Sequence, residues 1–473
     1  ELLDVANQKD NFDNSLFGGV SGVERPFQQG ANGKITYSGS SLAKEIQVTP
    51  GLAIRQNFSG LEVFQKINRP DGEFSVFEVV DDLIESLKVD LNSGKSSNLF
   101  SSSKSAKYMN LLEKEFARVF EKDFAISFTN GTATMHAVLE AWEIGPGDEV
   151  IITPLTMSST TFCVLQAGAT PVYADIDKNT FNIDPSSIKS KISSKSKAII
   201  PVSIFGLSPE MDKIMKIAKE HNLKVLEDNA ETFLGYYKGE VVGHFGDAAS
   251  YSFQSSKHLT AGEGGMIVTD DEEFALNLRR VQSLGYAGVS SKKSKISKDE
   301  IQSPNYSRHV TLGWNYRMPE LCAAVAYAQT QRIEELVNIR KEAAKIFNES
   351  VNDYKEFLTP QFVGPDYENS YWTWVAKIYD HSQWEGFRTL FLNNGGDRFY
   401  GCWKLGYQEP FFKERKFLGR ESLINKEIDY SDGICPIAED IQKRLMCFKT
   451  NYWDLEKAKL QGEILNKTCK DFF

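Results

Sequence analysis

The chain has 473 residues, of which 41% are hydrophobic and 25% charged; it is long enough for two packed domains, and this composition excludes wholesale disorder and fibrous repeats. With 54 basic against 64 acidic residues the formal charge is −10, which leaves no wide basic field for a nucleic-acid backbone. The six cysteines (Cys163, Cys322, Cys402, Cys435, Cys447 and Cys469) form no C-x-x-C pair and have no histidine at zinc-finger spacing, so they read as reduced core residues and no metal site is expected.

Residues 1–70 are rich in Gly, Asn, Ser and Gln, alternate only weakly around Lys34 to Tyr37, and predict an extension without a definite fold. The reduced cysteines predict a cytosolic protein; the first 30 residues are polar and lack the apolar centre of a signal peptide, which alone leaves export open. Apolar residues at helical spacing predict helices from Phe77 to Leu91 and around Leu111, Leu112, Phe116 and Phe120, joined by a Gly/Ser-rich stretch from Asn92 to Lys104. Between about 124 and 285, short β-branched runs alternate with helical segments, the pattern of a mostly parallel sheet covered by helices. The predicted strands are Phe124 to Phe128, Val150 to Thr153, Thr170 to Ala174, Ala198 to Val202, Lys224 to Glu227, Ala248 to Phe253 and Gly265 to Thr269. Residues 150–174 carry no charge and are long enough to cross a bilayer, but Pro154, Pro171 and many Ser and Thr predict a buried strand, loop and strand instead. Residues 286–308, rich in Ser and Lys, predict an exposed insertion; two long helices follow from near Pro319, and a smaller α+β unit runs from about 345. The expected class is α/β: an extension over 1–70, a large domain with a seven-stranded, mostly parallel sheet over 71–340, and a small C-terminal α+β domain over 341–473.

Three segments carry chemistry. Thr129-Asn130-Gly131-Thr132-Ala133-Thr134 lies between a strand and a helix, where small residues let backbone amides and a hydroxyl approach a phosphate; plain helix capping explains the same residues on their own. Val225 through Glu231 places Glu227, Asp228 and Glu231 at the carboxyl end of an apolar strand, where α/β proteins put ligands, and an acid there suits a cationic ring nitrogen or a metal, or caps a helix. In Ser252 through Gly265, Lys257 stands between an apolar strand and a Gly-rich return. A lone lysine is ordinarily a solvated surface group; this setting predicts partial burial and an amine free for Schiff-base chemistry. His258 reads as a structural neighbour.

A phosphate cradle, an acid for a pyridinium and a buried lysine are what a protein must supply to pyridoxal phosphate. From about residue 75 onward the chain resembles the DegT/DnrJ/EryC1/StrS family of pyridoxal-phosphate-dependent sugar aminotransferases, and is similar to its perosamine-forming members. The matching stretches are Asn130 to Ala133, Gly145 to Val150, Gly168 to Val172, Glu227 to Glu231, Ser252 to Gly265, and Gly313-Trp314-Asn315-Tyr316-Arg317-Met318. The resemblance implies the type I fold of pyridoxal-phosphate-dependent transferases and a homodimer with shared sites. It makes Lys257 the Schiff-base lysine and proton carrier, and Asp228 the partner of the pyridine nitrogen. Gly131, Thr132 and Ser252 would hold the phosphate, and Asn315 would reach the phosphate of the neighbouring subunit. Departures from the family pattern are Glu231 where glutamine is common beside the phenolic oxygen, Met157 where an aromatic usually stacks on the ring, and Ser203 where a histidine is frequent.

The implied activity moves an amino group from an amino acid, glutamate first, to the ketone of a nucleotide-linked sugar. A nicotinamide-dependent oxidoreductase would need a G-x-G-x-x-G turn after a strand, and none is present. A dehydratase relative would carry histidine at position 257. A non-catalytic binding protein would have no use for Lys257 and Asp228 together.

Overall fold

The computed structural model describes residues 6–7, 25–29, 35–39, 45–49, 52–55, 67–69, 72–74, 107–292 and 303–473. The chain forms two compact units, 1–97 and 98–473. In the first, Phe27–Gln29 pairs with Ile35–Tyr37, Glu45–Thr49 with Leu52–Arg55, and Ile67–Arg69 with Gly72–Phe74, all antiparallel. Asn7 ties down the first pair, its side chain donating to Phe27 O at 2.8 Å and accepting from Phe27 N at 2.9 Å. The helix expected from Phe77 to Leu91, and the stretch after it to residue 104, lie outside the described residues.

The second unit begins with α1 (Lys107–Val119), β1 (Phe124–Phe128), α2 (Gly131–Ala141), β2 (Glu149–Ile152), α3 (Ser159–Gln166) and β3 (Thr170–Tyr173). Then come α4 (Pro185–Lys191), β4 (Ser196–Ile200), α5 (Met211–His221), β5 (Lys224–Asp228), β6 (Ala248–Ser252), β7 (Gly265–Thr269) and α6 (Glu272–Gln282). All seven expected strands are present and form one sheet in the order β1-β7-β6-β5-β4-β2-β3, in which only β7 runs antiparallel to its neighbours. Burial on both faces is why these strands read as apolar runs and not as alternating ones. Ile126, Val150, Ile152, Ile200 and Leu226 face α2, α3 and α6 through Met135, Val138, Val164 and Leu278. On the opposite face Ile151, Ile199 and Val225 meet Ile188 of α4 and Ile214 and Ala218 of α5, while Ala249 and Met266 meet Leu112 and Phe116 of α1.

Two expectations are corrected. The segment between β2 and β3 holds the helix α3, where a loop was expected, with Ala167 N donating to Cys163 O at 3.1 Å. Its Ser and Thr residues have poor helix propensity, and the helix owes its stability to burying Cys163, Val164 and Leu165. The Ser/Lys-rich insertion is packed at its root: Ala287 N donates to Arg308 O at 3.0 Å, and Val289 and Ser291 are buried.

Two helices follow, α7 (Glu320–Thr330) and α8 (Ile333–Ser350), and α8 contributes to two cores. Ile333 and Val337 pack with α1 and the sheet, whereas Ala343, Ala344 and Phe347 pack into a second core. That second core is built on β8 (Leu358–Pro360), β9 (Thr373–Ile378), α9 (Trp384–Asn393), β10 (Tyr400–Gly401), β11 (Leu445–Lys449) and α10 (Leu455–Phe472). The four strands form an antiparallel sheet in the order β8-β9-β11-β10. Among the described residues no helix is long and apolar enough to cross a membrane.

A buried ion pair sets α1 against the sheet. Glu113 accepts from both terminal Arg279 nitrogens, at 2.7 and 2.8 Å, and from Ser127 N and Oγ at 2.9 and 2.8 Å. Replacing Glu113→Gln leaves the guanidinium buried without its charge partner, and should lower unfolding free energy by about 3–5 kcal/mol, read from the urea midpoint. An unchanged midpoint would show that Ser127 and solvent satisfy Arg279.

Candidate active site

Asp228 is the last residue of β5, and its backbone is held from both sides of the sheet. Its N–H donates to Pro201 O at 2.9 Å, its carbonyl accepts from Ser203 N at 3.0 Å, and Asn229 N donates to Ser250 O at 2.8 Å. The residue is 3% exposed; Thr160 Oγ1 donates to one carboxylate oxygen at 2.9 Å and Ala230 N to the other at 3.2 Å. Burial pushes this carboxyl above the usual carboxylate range, against the opposing pull of those two donors and of the Lys257 charge.

Lys257 sits on the loop from β6 to β7. That loop is pinned by Lys257 N to Gln254 O at 3.0 Å, Ala261 N to Phe253 O at 2.9 Å and Phe253 N to Gly264 O at 2.9 Å. The sequence-derived expectation of partial burial holds: the side chain is 12% exposed, with Nζ 3.4 Å from Glu231 Oε1 and 4.3 Å from the centroid of the Trp372 ring. Glu231 is buried, takes a second hydrogen bond from Phe205 N at 3.1 Å, and is raised above the ordinary range by burial more than Lys257 lowers it. His258 is a structural neighbour: Nε2 meets Ser370 O at 2.8 Å, and burial holds the ring far below its ordinary pKa and so neutral.

The cradle lies at the start of α2. Asn130 caps it through Oδ1, accepting from Ala133 N at 2.8 Å, and the Gly131 and Thr132 amides lie at the open end of the helix. Thr132 Oγ1 donates to Ser159 Oγ at 2.9 Å. A side chain on residue 131 would fill the cradle, since a Cβ there would lie 2.9 Å from Ser252 Cβ. Gly265 is needed for the same closeness, because a Cβ on it would lie 2.8 Å from the Asn130 carbonyl. The strand ends therefore bring together Gly131, Thr132, Ser252, Asp228, Glu231 and Lys257. Two further candidates are more open to solvent. Met157 is half exposed, one turn before Thr160, and Asn315 is exposed, while its neighbour Tyr316 accepts at O from Thr129 N at 2.9 Å.

These residues fit pyridoxal phosphate: small residues and amides for a phosphate, a buried acid for a ring nitrogen, and an amine beside them. Sequence reasoning missed Thr160 and Arg340. Arg340 of α8 is buried without a carboxylate and donates to Lys257 O at 3.0 Å, Ser256 O at 3.1 Å, Trp372 O at 2.7 Å and Thr450 Oγ1 at 3.3 Å. An arginine inside the apolar stripe of a long helix was the only available signal. Among the described residues no cluster of three or more His, Cys, Asp or Glu side chains suits a metal ion.

Comparison with known proteins points to one family. A model of the DegT/DnrJ/EryC1/StrS aminotransferase family matches residues 94–448. The spore coat polysaccharide biosynthesis protein SpsC of Bacillus subtilis is 36% identical over 269 residues, 56% of this chain and 67% of that protein. A GDP-perosamine synthase of Caulobacter vibrioides is 34% identical over 267 residues, again 56% of this chain and 67% of that protein. The chain thus spans about two thirds of the length of these relatives. The crystal structure of an aminotransferase from Psychrobacter cryohalolentis superposes with a TM-score of 0.70 at 24% identity, covering 82% of this chain and 96% of that one, which establishes the fold.

Burial of Asp228 makes stability depend on pH. A carboxyl raised in the folded state binds its proton more tightly there than in the unfolded chain. Folding therefore takes up protons, and stability falls as pH rises from about 4 through the folded value. Cofactor-free protein should lose stability relative to Asp228→Asn across that window, and pyridoxal phosphate should reverse the order by supplying a cation. Parallel melting profiles of the two proteins would contradict this.

Proposed function

The chain belongs to the DegT/DnrJ/EryC1/StrS aminotransferase family, and from that premise we propose that it transfers an amino group from an amino acid, glutamate, to the keto group of a nucleotide-linked sugar. The observation that carries the reading is Lys257, held 3.4 Å from Glu231 on the strand end next to buried Asp228. The names of the relatives, GDP-perosamine synthase and a spore coat polysaccharide protein, support sugar chemistry.

Pyridoxal 5′-phosphate, when bound, supplies an electrophilic carbon and a ring that takes up the electron pair an amino acid releases with its α-proton. The Gly131 and Thr132 amides, with the Thr132 and Ser252 hydroxyls, hold its phosphate. Asp228 keeps the proton on the pyridine nitrogen, oriented by Thr160 Oγ1 and Ala230 N. Lys257 Nζ would hold the cofactor through its amine and, when free, would be the base that takes up and returns the proton. Glu231 is raised by burial and so suited to keep a proton beside the phenolic oxygen, where an ionised carboxylate would repel it. Met157 covers the ring. A lysine at 257, where dehydratase relatives carry histidine, favours transamination. The roles divide into cofactor binding by 71–340 and substrate shaping by 341–473, with 1–70 an extension, in a cytoplasmic homodimer whose sites are shared through Asn315.

Borohydride reduction followed by peptide mass mapping should place one pyridoxyl group on Lys257; an adduct elsewhere, or none after reconstitution, removes the assignment. Asp228→Asn should keep the fold but slow the glutamate half-reaction by about 100-fold or more, since a neutral amide cannot sustain the pyridinium. A rate near that of the parent would assign the ring nitrogen to another group. Shared sites are tested by mixing Lys257→Ala with Asn315→Asp. One site of the heterodimer inherits both lesions and the other neither, so two inactive homodimers should regain activity on subunit exchange. Exchange confirmed by mass without activity would leave Asn315 in its own chain's site or in none.

A further inference from the structure

At the lysine, burial does little to hold the loop: Ser255 and Ser256 are exposed, and Lys257 is only partly buried. Its main chain is held from a distant helix instead. Arg340 Nη2 donates to Ser256 O at 3.1 Å and to Lys257 O at 3.0 Å, while Nη1 donates to Trp372 O at 2.7 Å and to Thr450 Oγ1 at 3.3 Å. Other contacts of the same stretch lead to the same place. Trp372 Nε1 donates to Ser256 O at 3.0 Å, His258 Nε2 meets Ser370 O at 2.8 Å, and Lys257 Nζ lies 4.3 Å from the Trp372 ring centroid. Thr450 Oγ1 reaches the carbonyls of Tyr371 and Trp372 at 2.7 and 3.0 Å. Residues 256–258 are thus stapled to residues 370–372, and the guanidinium is the shared point.

Arginine is an expensive choice for such a place. Arg279, 1% exposed, is matched by Glu113, whereas the hydrogen bonds of Arg340, 6% exposed, go to carbonyls and a hydroxyl, and burial pulls its pKa to about 10. The group still carries its charge at neutral pH. Its planar fork delivers several donors in fixed directions, which a lysine ammonium does not. Those donors meet two successive carbonyls, one of them that of Lys257 itself.

Resting on the aminotransferase reading, we propose that Arg340 is a positioning residue for Lys257: by holding the carbonyls of residues 256 and 257 against residues 370–372, it fixes the point from which the lysine amine swings. The amine has to reach one atom to hold the cofactor and, when free, others to take up and return a proton, so the main chain must stay fixed while Nζ moves. A guanidinium bound to the backbone leaves the side chain free to do so.

The test compares the parent with Arg340→Lys, which keeps the charge and loses the fork, and with Thr450→Val, which removes the hydroxyl beside it. In the full chain free of cofactor, amide hydrogen exchange in residues 254–261 should quicken about tenfold in Arg340→Lys, with exchange in β5 unchanged. In the full chain loaded with pyridoxal phosphate, single-turnover loss of the visible band with glutamate should slow about tenfold, while the half-saturating glutamate concentration stays within about threefold of the parent. The isotope effect with α-deuterated glutamate should rise, because proton transfer becomes the slower step. Thr450→Val should move exchange and rate in the same directions by about threefold, and it stands in if Arg340→Lys does not fold. Loop exchange like that of the parent would overturn the staple, and exchange that quickens throughout the protein would make Arg340 a general support of the fold. If the parent reacts with glutamate and the variant matches it in rate and isotope effect, the positioning role alone fails. If the parent neither takes the cofactor on Lys257 nor reacts with glutamate, the aminotransferase reading fails and the positioning role with it.

Discussion

The site depends on keeping a carboxyl group in an interior that disfavours its charge. Asp228 closes the central strand β5, backbone-bonded on either side, and so cannot move toward solvent. Its neighbours answer that constraint. Thr160 and Ala230 supply the donors, Lys257 supplies a charge, and Glu231 shares the same lysine from the loop beyond the strand. Two buried acids around one amine lean toward protonation, a balance that a cationic ring nitrogen would restore.

The parallel sheet makes this arrangement possible at modest length. The phosphate cradle, Asp228 and Lys257 are far apart in the chain but follow β1, β5 and β6, whose carboxyl ends lie along one edge of one sheet. The single antiparallel strand β7 brings the lysine loop back beneath Asn130. Only Gly265 allows that approach, so the return of the loop and the shape of the cradle are one packing event.

The parts of this design that were legible in the sequence are local. Seven apolar runs marked the strands, and small residues after Phe128, acids after Leu226 and a lysine after Phe253 marked their ends. The parts that were not legible are contacts across long separations. Thr160 donates to Asp228 from 68 positions away, and nothing in a Ser/Thr-rich run distinguishes the hydroxyl that does so. The same run concealed α3, because β-branched residues argue against a helix that tertiary burial nevertheless stabilises. Arg340 likewise meets the lysine loop from 83 residues downstream.

α8 is one uninterrupted rod of 18 residues, and its two ends belong to different cores. Arg340 projects from its middle, between Val337 on the sheet side and Ala343 on the other. This bears on how such proteins can be recombined. A chimera joined inside the helix would set its halves at an arbitrary rotation, 100° for each residue gained or lost. It would turn the guanidinium away from the Lys257 carbonyl even if both halves folded perfectly. An exchange of the C-terminal unit therefore keeps the guanidinium in register only when it is joined ahead of Ile333, so that the rod and its arginine travel together.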